Sequence, residues 1–165
     1  DLPSFPTRRS SDLQQTIMNM KFLKIRKRII LDRVGQQPYL VRYYPFLKDR
    51  KWFPFNIFIH KFYQGDPDEL HDHPWPYFTL ILKGGYWETT PKGRFWRGPG
   101  HFRFSLPKSL HRIELAHGIK AWTLFIPGPK LRDWGFIVNG NWMDNKTYFT
   151  WRKRLYDDQK KILNT

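Results

Sequence analysis

Apolar and polar residues alternate along much of this chain. The runs YLVRYYPF (39–46) and FNIFIHKFY (55–63) show the pattern most clearly. Because successive side chains of a strand point to opposite faces, a period of two predicts β-strands. The run KFLKIRKRIILDRV (21–34) is compatible with either a short amphipathic helix or an opening strand.

Turn-forming residues divide the middle of the chain into short segments. Gly84-Gly85 separates YFTLILK from YWETT, and a two-residue Gly-Gly connection predicts a β-hairpin in which Ile81 pairs with Glu88. Further turns lie at 91–94, 97–100, 106–109, 116–118 and 127–129. Short strands with turns about every eight to twelve residues are typical of β-sandwiches and barrels.

The two ends of the chain depart from this pattern. The segment FTWRKRLYDDQKKIL (149–163) has a loose apolar stripe that predicts a helix. Residues 1–13 resemble a translated sequencing-adapter oligonucleotide, so residues 1–17 are interpreted as an assembly artefact or, alternatively, as a disordered leader. We therefore predict an all-β protein with a barrel domain at 18–148 and a C-terminal helix or tail at 149–165.

Composition narrows the class of protein. Aromatic residues make up 18% of the 165 residues, and Gly and Pro are frequent, which favours β-structure with many turns. The absence of cysteine excludes disulfides, thiolate metal ligands and cysteine nucleophiles. The sequence has no apolar run long enough to cross a membrane and no secretory signal, so we expect one soluble, cytoplasmic domain.

The chain is strongly basic, with a formal net charge of +15. Such a surplus attracts nucleic acids and other polyanions. Its Lys and Arg residues fall in separate short clusters, for example at 48–51 and 151–154, which is more typical of a solvated surface than of a binding footprint. A nucleic-acid partner is therefore the weaker alternative.

Two histidines stand one residue apart in the segment ELHDHPW. On a strand, His71 and His73 would project to the same side with Cα atoms about 6.5–7 Å apart. Both rings could then bind one metal ion, at about 2.0–2.1 Å from each nitrogen. A stable site needs a third ligand, and the candidates are His60, His101, His111 and His117. His111 begins the run HRIEL and could lie beside the first two histidines in an antiparallel barrel.

Two segments resemble the motifs of the cupin superfamily. GDPDELHDHPWPYFTLILKGGY (65–86) is similar to the first motif and GHFRFSLPKSLH (100–111) to the second. The matching positions are Gly65, His71, His73, Gly84, Gly100, Pro107 and His111. Ser109 stands where the second motif usually has Gly. The chain also resembles uncharacterised cupin-like proteins of phages and bacteria that combine HDHPW with a downstream WGF and a Gly–Trp pair, here in GNW.

The resemblance implies a double-stranded β-helix, a small jelly-roll barrel that holds one divalent metal near its mouth. It implies His71, His73 and His111 as the metal ligands. The usual Glu ligand is missing, because Pro76-Tyr77-Phe78 occupies its positions. Glu88 cannot replace it if the predicted hairpin forms. The hairpin register places Glu88 beside Ile81, which is roughly 13 Å along the strand from Tyr77, where the usual Glu ligand would lie. Three imidazoles favour Fe(II) or Zn, with Ni, Mn and Cu as alternatives, over Mg or Ca.

Two kinds of function fit these features. The first is a mononuclear transition-metal enzyme acting on an unknown small molecule, with dioxygenase-like oxidation ahead of isomerisation or hydrolysis. The second is a non-catalytic jelly-roll binding or accessory module whose basic surface meets nucleic acid or an anionic glycan. A homodimer paired through sheet edges is compatible with either.

Several further polar residues have an expected position. Asp72 should face away from the two histidines and support the loop, whereas His60 is compatible with either face of its strand. His101 and His117 lie in turns and should be exposed. Arg103 alternates with two Phe residues and should point outward to solvent. The aromatic residues Tyr77, Tyr86 and Trp122 are expected in the core.

Overall fold

The computed structural model describes residues 25–32, 37–48, 53–66 and 69–163. Residues 1–17, interpreted above as an artefact or a leader, lie outside this part. Within the described ranges, no helix has both the length and the apolar character needed to span a membrane.

Strands dominate the described part of the chain, and one long helix follows them. The strands are β1 (Arg26–Leu31), β2 (Pro38–Tyr44), β3 (Phe58–Phe62), β4 (Tyr77–Lys83), β5 (Tyr86–Thr90), β6 (Gly93–Arg97), β7 (Phe102–Ser105), β8 (Arg112–Glu114), β9 (Ala121–Pro127), β10 (Gly135–Val138) and β11 (Asn141–Asp144). The helix α1 spans Asn145–Leu163 and begins within the range predicted for the barrel. The predicted all-β class with a C-terminal helix is confirmed. Within the opening run, for which a helix or a strand was expected above, residues 26–31 form the strand β1.

The strands form a six-stranded sheet in the order β1-β2-β3-β9-β4-β7 and a three-stranded sheet in the order β6-β5-β8. A third, two-stranded sheet consists of β10 and β11, and all pairings are antiparallel. Residues from the two larger sheets share one apolar cluster, consisting of Leu40, Phe62, Ile81, Tyr86, Ile113 and Ala121. This arrangement is a small jelly-roll barrel.

The predicted hairpin at Gly84-Gly85 is wrong. β4 pairs with β9 and β7, whereas β5 pairs with β6 and β8, so the two glycines carry the chain from one sheet to the other. Both glycines have positive φ, and a Cβ on Gly84 would lie 2.3 Å from the Lys120 carbonyl oxygen. The glycine pair is therefore required by close backbone packing at the crossing. The sequence could not reveal this, because the hydrogen-bond partners of β4, which are β7 and β9, are distant along the chain.

The strand register stacks the inward side chains in tiers. Leu40, Phe62 and Ala121 form an apolar tier across β2, β3 and β9. Arg42 and His60 lie side by side in the next tier, where Thr123 is the neighbour on β9. The barrel is therefore apolar in one tier and polar in the adjacent one.

Candidate metal centre

Backbone hydrogen bonds hold the first two predicted ligands beside the third. His71 and His111 exchange a pair of N–H···O bonds of 2.9 Å each. The His73 N–H donates to the Pro107 carbonyl at 3.1 Å. Two segments separated by strands β4 to β7 are thus held together at the positions that carry the imidazoles. The turn around Pro107 helps to hold residues 71–73 in place, because the Pro107 carbonyl accepts the His73 N–H.

The three imidazoles converge on one point. His71, His73 and His111 each offer a ring nitrogen, and these atoms all lie within 4.8 Å of one another. Nε2 of His73 and Nε2 of His111 face each other at 2.8 Å. His71 and His111 are buried and His73 is half-buried. The histidines singled out from the sequence therefore meet, and together they could hold a metal ion.

Burial keeps His73 in the form that binds metals. Loss of solvent, reinforced by the neighbouring imidazoles of His111 and His71, holds the pKa of His73 well below its usual value of 6.5. A neutral imidazole offers a lone pair at one nitrogen, as metal binding requires.

Glu88 is a site residue that the sequence analysis rejected. Its Oε1 lies 3.1 Å from Nδ1 of His111, and the side chain is buried. Arg97 Nε donates to Oε2 at 2.8 Å, and Arg103 Nη1 lies 2.6 Å from Oε1. Burial alone would raise the pKa of Glu88, but the hydrogen bond with His111 and the two guanidinium groups outweigh it and lower the pKa to about 2. The carboxylate is ionised and engages the outer nitrogen of His111, which leaves Nε2 directed at the other histidines.

The prediction that Glu88 lies far from the histidines was wrong because the β4–β5 hairpin on which it depended does not form. On β5, Glu88 pairs with Ile113 of β8, two residues beyond His111, instead of with Ile81. Glu88 shares the inward face of β5 with the core residue Tyr86. The spacing of Tyr86 and Glu88 could have revealed that Glu88 faces inward, because residues i and i+2 of a strand lie on the same face and Tyr86 was expected in the core.

A cavity of about 1380 Å³ opens beside the histidines and is lined from both large sheets. This exceeds the roughly 300–1,000 Å³ of typical small-molecule pockets. The Tyr77 hydroxyl reaches into it, 3.4 Å from Nε2 of His111, and burial raises the pKa of Tyr77, so the phenol stays protonated. Tyr86, expected in the core, is buried there. Trp122, also expected in the core, is half-buried and stacks on Tyr43.

The chain is similar to known proteins in its three-dimensional structure but not detectably in its sequence. No model of a known protein family matches the sequence, and no curated protein matches it. Among solved structures, a sugar phosphate isomerase of the cupin superfamily from Silicibacter pomeroyi superposes with a TM-score of 0.55 at 15% identity, over 68% of this chain and 77% of that one. A cupin-2 domain protein from Rhodospirillum rubrum gives a TM-score of 0.54 at 13% identity, over 68% and 74% of the two chains. The chain has the cupin fold.

A third similar structure is a polyketide cyclase from Streptomyces resistomycificus, with a TM-score of 0.51 at 14% identity over 64% of this chain and 74% of that one. At these identities the likeness shows the fold and leaves the reaction open. The cupin assignment made from the two sequence motifs is confirmed at the level of the fold.

Two predictions about side-chain direction in the cupin barrel are wrong. Arg103 points inward to Glu88, while Phe102 and Phe104 on the same strand are 68% and 65% exposed. The alternation was correct but its sense was reversed, since β7 directs its aromatic residues to solvent. His101 is half-buried and lines the cavity instead of being exposed. His117 is exposed, as predicted.

Asp72 braces the metal-ligand segment of the cupin barrel from behind. Its buried carboxylate accepts a hydrogen bond from the Gly135 N–H at 2.7 Å and one from Nε1 of Trp142 at 3.1 Å, and it pairs with Arg132. All three partners lie in or next to the β10–β11 hairpin. The residue between the two histidines therefore supports the segment, as predicted.

His60, which the sequence left open, faces the inside of the cupin barrel. It is 4% exposed and its Nε2 accepts a hydrogen bond from Arg42 Nε at 2.9 Å. His60 is not one of the three converging imidazoles. It lines the same cavity from the adjacent wall.

Proposed function

We propose that this protein binds one divalent transition metal through His71, His73 and His111 and acts as a mononuclear metalloenzyme on a small molecule in the adjoining cavity. The observation that carries the proposal is the convergence of three imidazole nitrogens within 4.8 Å at the cavity wall. Fe(II) and Zn fit this donor set best, and Ni, Mn and Cu are alternatives.

The surroundings of the three histidines support a metal. An all-nitrogen donor set suits transition metals, whereas Mg and Ca prefer oxygen ligands. The carboxylate of Glu88 on Nδ1 of His111 is the kind of outer contact that orients metal-ligating histidines and increases their basicity. The depressed pKa of His73 keeps a lone pair available at neutral pH.

We further propose that the reaction is a dioxygenase-like oxidation. When bound, such a metal supplies a Lewis acid with open positions, and iron would add electron transfer to dioxygen. The protein offers poor general bases at this point. Glu88 is engaged by two arginines, and Asp66, 3.9 Å from His71, accepts bonds from the Tyr39 hydroxyl and the Ile113 N–H. Isomerisation would require a free base to move the proton, so this arrangement favours redox chemistry at the metal over isomerisation.

The test begins with elemental analysis of protein purified without a histidine tag. The proposal predicts about one transition metal per chain, lost in His73→Ala and retained in the matched control His117→Ala, whose imidazole is exposed. Oxygen consumption by the iron-loaded protein, screened against small organic acids, then tests the oxidation. A protein that takes up no metal from a stoichiometric supply of any of the five metals would refute the proposal.

The rival is a metal-free binding module with a basic surface. The net charge of +15 favours it, and Arg26, Lys27 and Arg28 are exposed on β1. A polyanion affinity that falls steeply with salt, in a protein without metal, would support this reading. Metal content and salt dependence are measured independently, so the two functions are separable.

A further inference from the structure

Arg42 places a positive charge inside the barrel, away from the three histidines. It lies on β2 and lines the cavity. Its Nε donates to Nε2 of His60 at 2.9 Å, and its guanidinium lies 4.5 Å from the centre of the Phe58 ring. Both contacts fix the direction of the guanidinium within the polar tier described above.

Arg42 differs from the other arginines that line the cavity because, among the described residues, no carboxylate forms an ion pair with it. Arg97 and Arg103 both pair with Glu88, and Arg152 pairs with Glu69. The partners of Arg42 are instead an imidazole and an aromatic ring, and burial lowers the pKa of Arg42. A partly buried cation without a counter-ion is costly, and an anion from outside the chain would offset that cost.

His60 holds Arg42 in place. Nε2 of His60 accepts the Arg42 Nε–H, so the ring proton resides on Nδ1, on the far side of the ring from Arg42. Burial and the Arg42 charge hold the pKa of His60 well below its usual value, so the ring stays neutral and keeps accepting this bond. The guanidinium is thereby fixed with one positive charge and its terminal N–H donors, the groups that recognise carboxylates and phosphates.

One aromatic ring lies between this pair and the metal-ligand cluster. Phe125 stacks on His60 with ring centres 5.1 Å apart, and its centre lies 6.5 Å from that of His73. A small molecule that lies across Phe125 could therefore reach both sites at once.

We propose that Arg42, held in place by His60, forms an anion-binding subsite, and that the substrate of the three-histidine centre is a small molecule with a carboxylate or phosphate group. The anion sits on the Arg42 guanidinium, and the opposite end of the molecule faces His71, His73 and His111. The substrate part of this inference rests on the proposed function, whereas the anion subsite stands on the Arg42 environment alone.

The experiment titrates the zinc-supplemented full-length protein with inorganic phosphate and, separately, with acetate, at an ionic strength held constant with sodium chloride. Two-dimensional NMR follows the Arg42 Nε–H and the His60 ring resonances. A saturable shift of both is expected, and the tighter of the two ions identifies the oxyanion class. In Arg42→Gln the anion affinity should fall at least about tenfold, since a charge-assisted hydrogen bond is lost.

Lys61→Gln is the matched control, because Lys61 is next to His60 but contacts Tyr63 and Trp122 on the other face of β3. It removes the same charge and should leave anion affinity unchanged. Arg42→Lys, which keeps the charge, should retain part of the affinity and guards against misfolding of the Gln variant. Absence of a saturable shift in the wild type, or equal weakening in Lys61→Gln, overturns the inference.

Metal content separates this inference from the proposed function. A wild type that binds metal but shows no saturable anion response refutes the subsite and leaves the metal centre standing. A protein that takes up no zinc but shows the saturable, Arg42-dependent response supports the subsite, and only its link to a metal centre falls.

Discussion

Glu88 Oε1 lies 3.1 Å from Nδ1 of His111, and the other ring nitrogen of His111, Nε2, lies 2.8 Å from Nε2 of His73. The same carboxylate holds Arg97 and Arg103. One buried acid on β5 thus orients a candidate metal ligand and pairs with two guanidinium groups. The relationship makes Glu88 a positioning residue whose loss should be felt at the metal.

Glu88→Gln should weaken metal binding by about 10–100-fold, because an amide neither carries the negative charge nor favours the same imidazole tautomer as strongly. Zinc affinity measured by competition with a chromogenic chelator checks this. Glu114→Gln is the control, since Glu114 pairs with Arg94 and Arg112 away from the histidines. Equal zinc affinity in the wild type and Glu88→Gln would remove Glu88 from the site.

Asp72→Asn should lower the free energy of unfolding by about 2–4 kcal/mol. The buried carboxylate pairs with Arg132 and accepts bonds from Gly135 and Trp142, and removing its charge leaves the half-buried guanidinium of Arg132 without its partner. Urea denaturation of the metal-free protein gives the value. Asp133→Asn is the control and should change stability little, because Asp133 is exposed and forms a surface ion pair with Lys130. A loss for Asp72→Asn no larger than for the control would contradict the bracing role.

Gly84→Ala should be more damaging than Gly118→Ala. Both glycines have φ near +75° (+76° and +72°), so both substitutions incur the cost of a left-handed conformation, about 1 kcal/mol. Only at Gly84 would the added Cβ meet backbone, at 2.3 Å from the Lys120 oxygen. We expect an additional loss of at least about 2 kcal/mol there. Thermal and urea unfolding of the two variants measure the difference, and similar losses would disprove the tight crossing.

The metal-free protein should lose stability as the pH falls below about 6.5. The pKa values of His60 and His73 are depressed in the folded state, chiefly by burial. Below 6.5 the unfolded chain therefore binds protons that the folded chain does not, and each histidine contributes a slope of at most about 1.4 kcal/mol per pH unit. Their stabilising contribution is present above pH 6.5 and is lost as the pH falls through the acidic range.

Urea denaturation between pH 7 and pH 5, in the presence of a chelator, measures this slope. His60→Gln should reduce it, because one of the two proton acceptors is gone. His117→Gln replaces an exposed imidazole and should leave the slope unchanged. A stability that is flat over this interval would contradict the neutral, buried state of the two rings.

Local sequence patterns predicted the features that depend on residues close together along the chain, such as the positions of individual strands. The period of two located β2 and β3, and turn residues separated most of the remaining strands. The spacing of His71 and His73 predicted two candidate ligands close together, because residues only two positions apart are kept near each other by the local backbone. His111 came from the cupin-like motif, and its backbone pairing with His71 shows why that motif keeps the two segments in register.

Tertiary structure alone decided which strands pair and which face of each strand looks inward. Periodicity groups Phe102 and Phe104 against Arg103, yet both faces of β7 carry a plausible core residue, and only packing against Glu88 selects the arginine. The Gly84-Gly85 crossing, the Glu88–His111 contact and the Arg42–His60 pair all depend on which strands pair and in which register. Hydrogen-bond partners in a sheet are chosen by the whole fold, so no local stretch of sequence contains that information.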